Sequence, residues 1–103
     1  EYPKIEGDAL CALAKAYSDL GQFDKALDHC DQALKIFQET KYRRGEGEAF
    51  FTKSLALDKL GQRTEATALA NEALQIFQQI ESPLKAEKVR QKLALWGCGP
   101  TEN

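Results

Sequence analysis

Methionine is absent from the chain, and cysteine, histidine and proline are scarce: three, one and three among 103 residues. Cys11, Cys30 and Cys98 form no Cys-x-x-Cys pair and are odd in number, which argues against a disulfide framework. Free thiols in a reducing, cytoplasmic setting are the expected state. A zinc site usually needs three or four suitably spaced ligands, and His29 is the only histidine. His29 and Cys30 are neighbours in a helical pattern and so point in different directions, which excludes a Cys/His nucleophilic pair. No phosphate-binding loop is present, because Gly45-Glu46-Gly47 lies within a helical pattern and lacks a following Lys-Ser/Thr. These absences point to a non-enzyme with no catalytic residues, no metal and no cofactor.

Long apolar runs are missing too. None approaches the ~20 residues that span a bilayer, and the start shows no signal-peptide pattern, so no membrane role is expected. Charge is balanced at 14 basic against 16 acidic residues, a net −2, which supplies no field for nucleic acid. The small basic-aromatic patch Tyr42-Arg43-Arg44 reads as a solvated helix start. The chain opens at Glu1 and carries no Met, and it reads as an excised piece of a longer protein.

What is there is an ordinary globular composition, 43% hydrophobic and 29% charged, arranged with a period of 40 residues. Tyr2/Tyr42, Glu6/Glu46, Gly7/Gly47, Ala9/Ala49, Ala16/Ala56, Leu20/Leu60, Gly21/Gly61 and Gln22/Gln62 coincide at that offset. Ala26/Ala66, Ala33/Ala73, Leu34/Leu74, Ile36/Ile76, Phe37/Phe77 and Gln38/Gln78 continue the match. Such self-similarity marks a stacked repeat whose units cover each other's apolar faces.

Each unit holds two helical patterns. Ile5, Ala9, Leu10, Leu13, Ala16, Tyr17 and Leu20 recur at three- and four-residue steps, which predicts one apolar face on a first helix. Pro3 suits its first turn and Gly21 its left-handed end. A second helix is expected from about Phe23 to Glu39, burying Ala26, Leu27, Cys30, Ala33, Leu34 and Phe37, with Asp24 complementing the dipole. Phe50, Ser54, Leu57 and Leu60, then Ala66, Leu69, Ala70, Ala73, Leu74 and Phe77, repeat the plan. The short Gly21-Gln22 and Gly61-Gln62 connections force antiparallel pairs. A fifth helix, roughly Pro83 to Trp96, places Val89, Leu93 and Trp96 inward with Arg90, Gln91 and Lys92 polar, as a capping helix should. Repeat 1 then spans about 3–40, repeat 2 about 43–80 and the cap about 83–96, in one domain over 1–97. Residues 98–103 are read as a flexible tail.

Leu10-x2-Leu13-Ala14-x2-Tyr17, Gly21 and Ala26-x3-Cys30-x2-Ala33 resemble the tetratricopeptide repeat. So do Phe50-x2-Lys53-Ser54-x2-Leu57, Gly61 and Ala66-x3-Ala70-x2-Ala73 in the second unit. Units in that family typically have about 34 residues. The longer period here is similar to the long-helix subgroup of kinesin light chains and bacterial multi-repeat scaffolds. Lys53 stands where the family usually has Leu, and Cys30 and Ala70 where it has an aromatic. The resemblance implies an all-α, right-handed solenoid of two antiparallel helix pairs plus a C-terminal capping helix, five helices in all.

It also implies a concave groove lined by the first helix of each pair. The groove positions are Asp8, Cys11, Lys15, Ser18 and Asp19, then Glu48, Phe51, Thr52, Leu55 and Asp58, then Lys88, Gln91, Lys92 and Leu95. One subclass of the family clamps a C-terminal carboxylate. Lys88 and Lys92 occupy its two basic places, but Cys11, Lys15 and Thr52 replace its remaining Lys and Asn groups. The Asn ladder of other members is replaced by Ala12, Lys15, Thr52 and Leu55. Phe51 and Leu55, flanked by Lys15, Lys88 and Lys92, suit an amphipathic helix with an acidic edge, or else pack between units.

The expected function is a non-catalytic protein–protein interaction module that binds a peptide or helix. Two alternatives stand beside it: a regulatory segment of a multidomain signalling enzyme or ATPase, and a module that self-associates through its open repeat ends.

Overall fold

A computed structural model describes residues 3–97. Five helices follow one another: α1 (Pro3–Asp19), α2 (Phe23–Glu39), α3 (Arg43–Lys59), α4 (Arg63–Gln79) and α5 (Pro83–Leu95). Their first residues fall at 20-residue intervals, so the 40-residue repeat is itself two like helix–turn segments. Residues 98–103, read from sequence as a tail, and Cys98 lie outside the described residues. Trp96 caps α5 rather than ending it.

The regular spacing comes from one turn used four times. After α1, Gln22 N–H donates to Tyr17 O (2.8 Å) and Gly21 N–H to Ser18 O (3.0 Å), with Gly21 at φ +81°. This paired arrangement satisfies two of the carbonyls that every helix end leaves open. Gly61, at φ +83°, repeats it after α3. The turns between units have the same hydrogen bonds, but Lys41 (φ 58°) and Glu81 (φ 56°) take the left-handed position there. A side chain at that φ is strained, and neither residue type announces it in the sequence.

Three-residue turns return each helix alongside the last, so α1 packs on α2, α2 on α3, α3 on α4 and α4 on α5, while α1 also reaches α3. The core is rich in alanine. Ala14, Ala26, Cys30 and Ala56 form one cluster; Cys11, Ala33, Leu34, Phe37 and Ala49 form the next. Ala70, Ala73, Leu74, Phe77, Ala86, Val89 and Leu93 form the third, and Phe50 packs against both of the last two. Small side chains let the helix axes approach, and Phe37 and Phe77 fill the space between successive units.

One expectation about burial fails. The stripe Ile5, Ala9, Leu13, Ala16 and Leu20 is exposed, with Ile5 at 66% and Leu20 at 70%, and Leu60 is exposed as well. α1 buries the small residues Gly7, Cys11 and Ala14 instead. Its inner face is set by the two helices it touches, which leave room only for small groups. Lys53, at a place where the family has Leu, reaches Asp31 on α2 at 2.7 Å and so keeps its charge solvated.

Candidate functional site

The first helices of the units, α1 and α3, and the capping helix α5 share one side of the molecule, where three adjoining cavities form a groove. The central cavity, about 150 Å³, is lined by Phe51, Thr52, Leu55 and Phe77, with Lys15, Glu48, Lys85 and Lys88 around it. Toward α1 a second cavity of about 300 Å³ is lined by Asp8, Cys11, Ala12, Lys15, Tyr42, Arg44, Gly45 and Glu48. Toward α5 a third, about 460 Å³, lies among Arg44, Ser82, Leu84, Lys85, Glu87, Lys88 and Gln91.

Local sequence explains the placement. Glu48, Phe51, Thr52 and Leu55 are spaced three, one and three apart in α3, so they share a helix face. Phe51 is half-buried, its ring resting on the α4–α5 cluster, and Leu55 is half-buried beside it. Phe51 therefore packs against the core and, with Leu55, floors the cavity. Thr52 is buried between them.

Glu48 organises the charges. Its carboxylate pairs with Lys85 and stands 4.0 Å from Lys15 Nζ, so one acid on α3 draws α1 and α5 together across the groove. Among the described residues neither Arg44 nor Lys88 is ion-paired. The three cavities together present four cations and three carboxylates, so the groove is positive on a chain that is net negative.

Of the residues expected from sequence, Lys15, Phe51, Thr52, Leu55 and Lys88 meet at the central cavity. Asp8 and Cys11 line the second and Gln91 the third. Lys92, Ser18, Asp19, Asp58 and Leu95 lie outside these three cavities; Asp58 holds Arg63 Nε at 2.5 Å at the α3–α4 turn. Cys11 is buried, and burial pushes its thiol up to about 11, so it forms part of the wall as a neutral group. Cys30 is buried deeper and pushed up to about 12 for the same reason.

Arg44 and Lys85 were not among the expected groove residues. They stand one helical turn before Glu48 and Lys88, and extending the stripe by three or four residues toward each helix start would have found them. Arg43 is instead tied to Glu46 (2.8 Å) and Gln79 (2.7 Å), and Tyr42 packs on Phe37 with ring centroids 5.6 Å apart.

Among the described residues no group of three or more His, Cys, Asp or Glu could hold a metal ion. No described helix is long and apolar enough to cross a membrane. His29 Nδ1 lies 2.8 Å from the carbonyl of Lys25, and its ring packs against Tyr17 at 5.0 Å between centroids.

A family model described as tetratricopeptide repeat matches residues 6–79, well over half of the chain. No curated protein and no solved structure matches.

Proposed function

This chain belongs to the tetratricopeptide repeat family, and we propose that it is a non-catalytic interaction module whose groove takes an amphipathic helix with an acidic edge. The central cavity carries this reading: an apolar floor of Phe51 and Leu55 lies beside the cations Lys15, Lys85 and Lys88. An apolar side chain of the partner enters over Phe51 and Leu55, and carboxylates on the same helix face Arg44 and Lys88. Recognition of this kind uses side chains three and four residues apart on one helix face. Because Glu48 already engages Lys15 and Lys85, a ligand carboxylate gains most from Arg44 and Lys88. The buried, neutral thiols of Cys11 and Cys30 are compatible with a reducing, cytoplasmic setting.

Two labelled synthetic helices test the proposal by fluorescence anisotropy: one with Leu on one face and Glu at its edge, the other with Lys replacing Glu. The acidic helix is expected to bind, and to weaken as salt is raised. Equal affinity for the two helices, or binding by neither, would overturn it.

A further inference from the structure

Repeat symmetry shows what covers α3 and has no counterpart against α1 among the described residues. Gly45, Ala49, Thr52 and Ala56 of α3 are buried in a helix that packs against α2. Forty residues earlier the same places hold Ile5, Ala9, Ala12 and Ala16, and all four are exposed. With Leu13 and Leu20 they make a continuous apolar stripe along α1 and its end, in which Ile5, Leu13 and Leu20 are 66%, 46% and 70% exposed. At 100° per residue these six positions share one face of the helix.

The stripe is complementary to its own reverse. Laid antiparallel on a copy of itself about a two-fold axis between Ala12 and Leu13, it sets Ile5 against the partner's Leu20. The same register sets Ala9 against the partner's Ala16. Large residues meet large at the ends, Ala9 meets the partner's Ala16 between them, and at the centre Leu13 meets the partner's small Ala12.

The charges agree independently. Lys4, Asp8, Lys15 and Asp19 follow the groove-side edge of the stripe in alternating sign. Reversal about the same axis leaves Lys4 two residues, roughly 3 Å of helix rise, from the level of the partner's Asp19, and Asp8 as far from that of the partner's Lys15, within reach of a lysine side chain and each twice by symmetry. A parallel pairing in register would set every one of these charges against its like. The two lysines are loosely engaged at present: Lys4 lies 4.8 Å from the Tyr42 ring centre, and Lys15 is 4.0 Å from Glu48.

We propose that α1 is an interface between two copies of this chain, paired antiparallel through Ile5, Ala9, Leu13, Ala16 and Leu20. A two-fold contact uses the same patch on both partners and closes on itself, so the assembly stops at a dimer. The seam takes Asp8, Ala12 and Lys15 from the α1 wall of the second cavity and leaves the groove open at α3 and α5, so the dimer presents two grooves.

Sedimentation equilibrium on the 103-residue chain reads the association directly, and a concentration-dependent dimer is expected. Leu13→Glu and Leu20→Glu, both at exposed positions, should raise the concentration of half-association roughly tenfold or more with unchanged helical circular dichroism. Asp8→Lys should weaken the dimer, and Asp8→Lys with Lys15→Asp should restore it. In a Cys98→Ser background, Ala12→Cys should cross-link two copies on mild oxidation. A monomer at every concentration, a dimer indifferent to both glutamates, or a charge exchange that fails to restore association would each overturn the proposal.

Discussion

The Phe37 ring lies directly on the backbone of Gly7, so closely that a Cβ at Gly7 would meet Phe37 Cε1 at 2.4 Å. The same ring closes on Gly45, where a Cβ would meet Cδ1 at 2.5 Å. Phe37 on α2 is thus gripped between α1 and α3, with one glycine on each side, and is wholly buried. Both glycines sit within helices, where an alanine would ordinarily be favoured by about 1 kcal/mol. Their cost to the helices is outweighed by the ring they admit, which joins the first unit to the second.

Gly7→Ala and Gly45→Ala are therefore expected to destabilise the fold by about 1–3 kcal/mol, the usual range for overpacking a tight core. Thermal unfolding followed by circular dichroism measures this. Phe37→Leu added to Gly7→Ala should recover part of the loss, since it removes the atoms in conflict. A gain in stability from either alanine would show that the ring has room to move.

Lys41 and Glu81 hold the left-handed position at the turns between units, where glycine would be unstrained. The strain is roughly 1–2 kcal/mol per residue, against a gain in unfolded-chain freedom of about 0.4–1 kcal/mol on introducing glycine. Lys41→Gly should then raise stability by up to about 1 kcal/mol, with Gly21→Ala lowering it by a similar amount. Chemical denaturation midpoints of the two variants should move in opposite directions.

In the groove, Lys88→Glu should weaken binding of the acidic helix roughly tenfold and flatten its salt dependence, because among the described residues Lys88 carries no ion pair to compensate. Leu55→Asp should weaken binding of both helices by placing a charge on the cavity floor. Anisotropy titrations at two salt concentrations separate these effects. A Lys88→Glu variant that binds the acidic helix as before would remove that residue from the site.

Burial holds the Cys11 and Cys30 thiols up at about 11 and about 12, against an ordinary value of 9.0. As pH rises the unfolded chain releases these protons first, while the folded chain retains them. The thiols leave stability unchanged below about pH 9 and lower it between 9 and their folded values, by at most about 1.4 kcal/mol per pH unit each. Urea midpoints across this window should fall less steeply for Cys30→Ala than for the unaltered chain. Parallel slopes would show that Cys30 ionises in the folded state.

The lining of the candidate groove was legible where one helix supplied it. Phe51, Thr52 and Leu55 share a face by spacing alone, and Lys15 and Lys88 follow by repeat symmetry. What spacing does not give is the pairing of Glu48 with both Lys15 and Lys85, because that depends on how far apart three helices come to rest. Nor does it give the division between Arg43, tied to Glu46 and Gln79, and Arg44, which is left to the groove.

The sequence alone determined the five helices, the turns at Gly21 and Gly61, and the repeat that stacks them. These follow from local periodicity and from backbone conformations that few residues adopt. Tertiary structure decided which side of α1 is the inside. Ile5, Ala9, Leu13, Ala16 and Leu20 have the stronger apolar period, yet Gly7, Cys11 and Ala14 are the residues buried. Periodicity reports that a face is apolar; burial requires a neighbour to lie against it. In α3 that neighbour is α2, and at α1 among the described residues there is none.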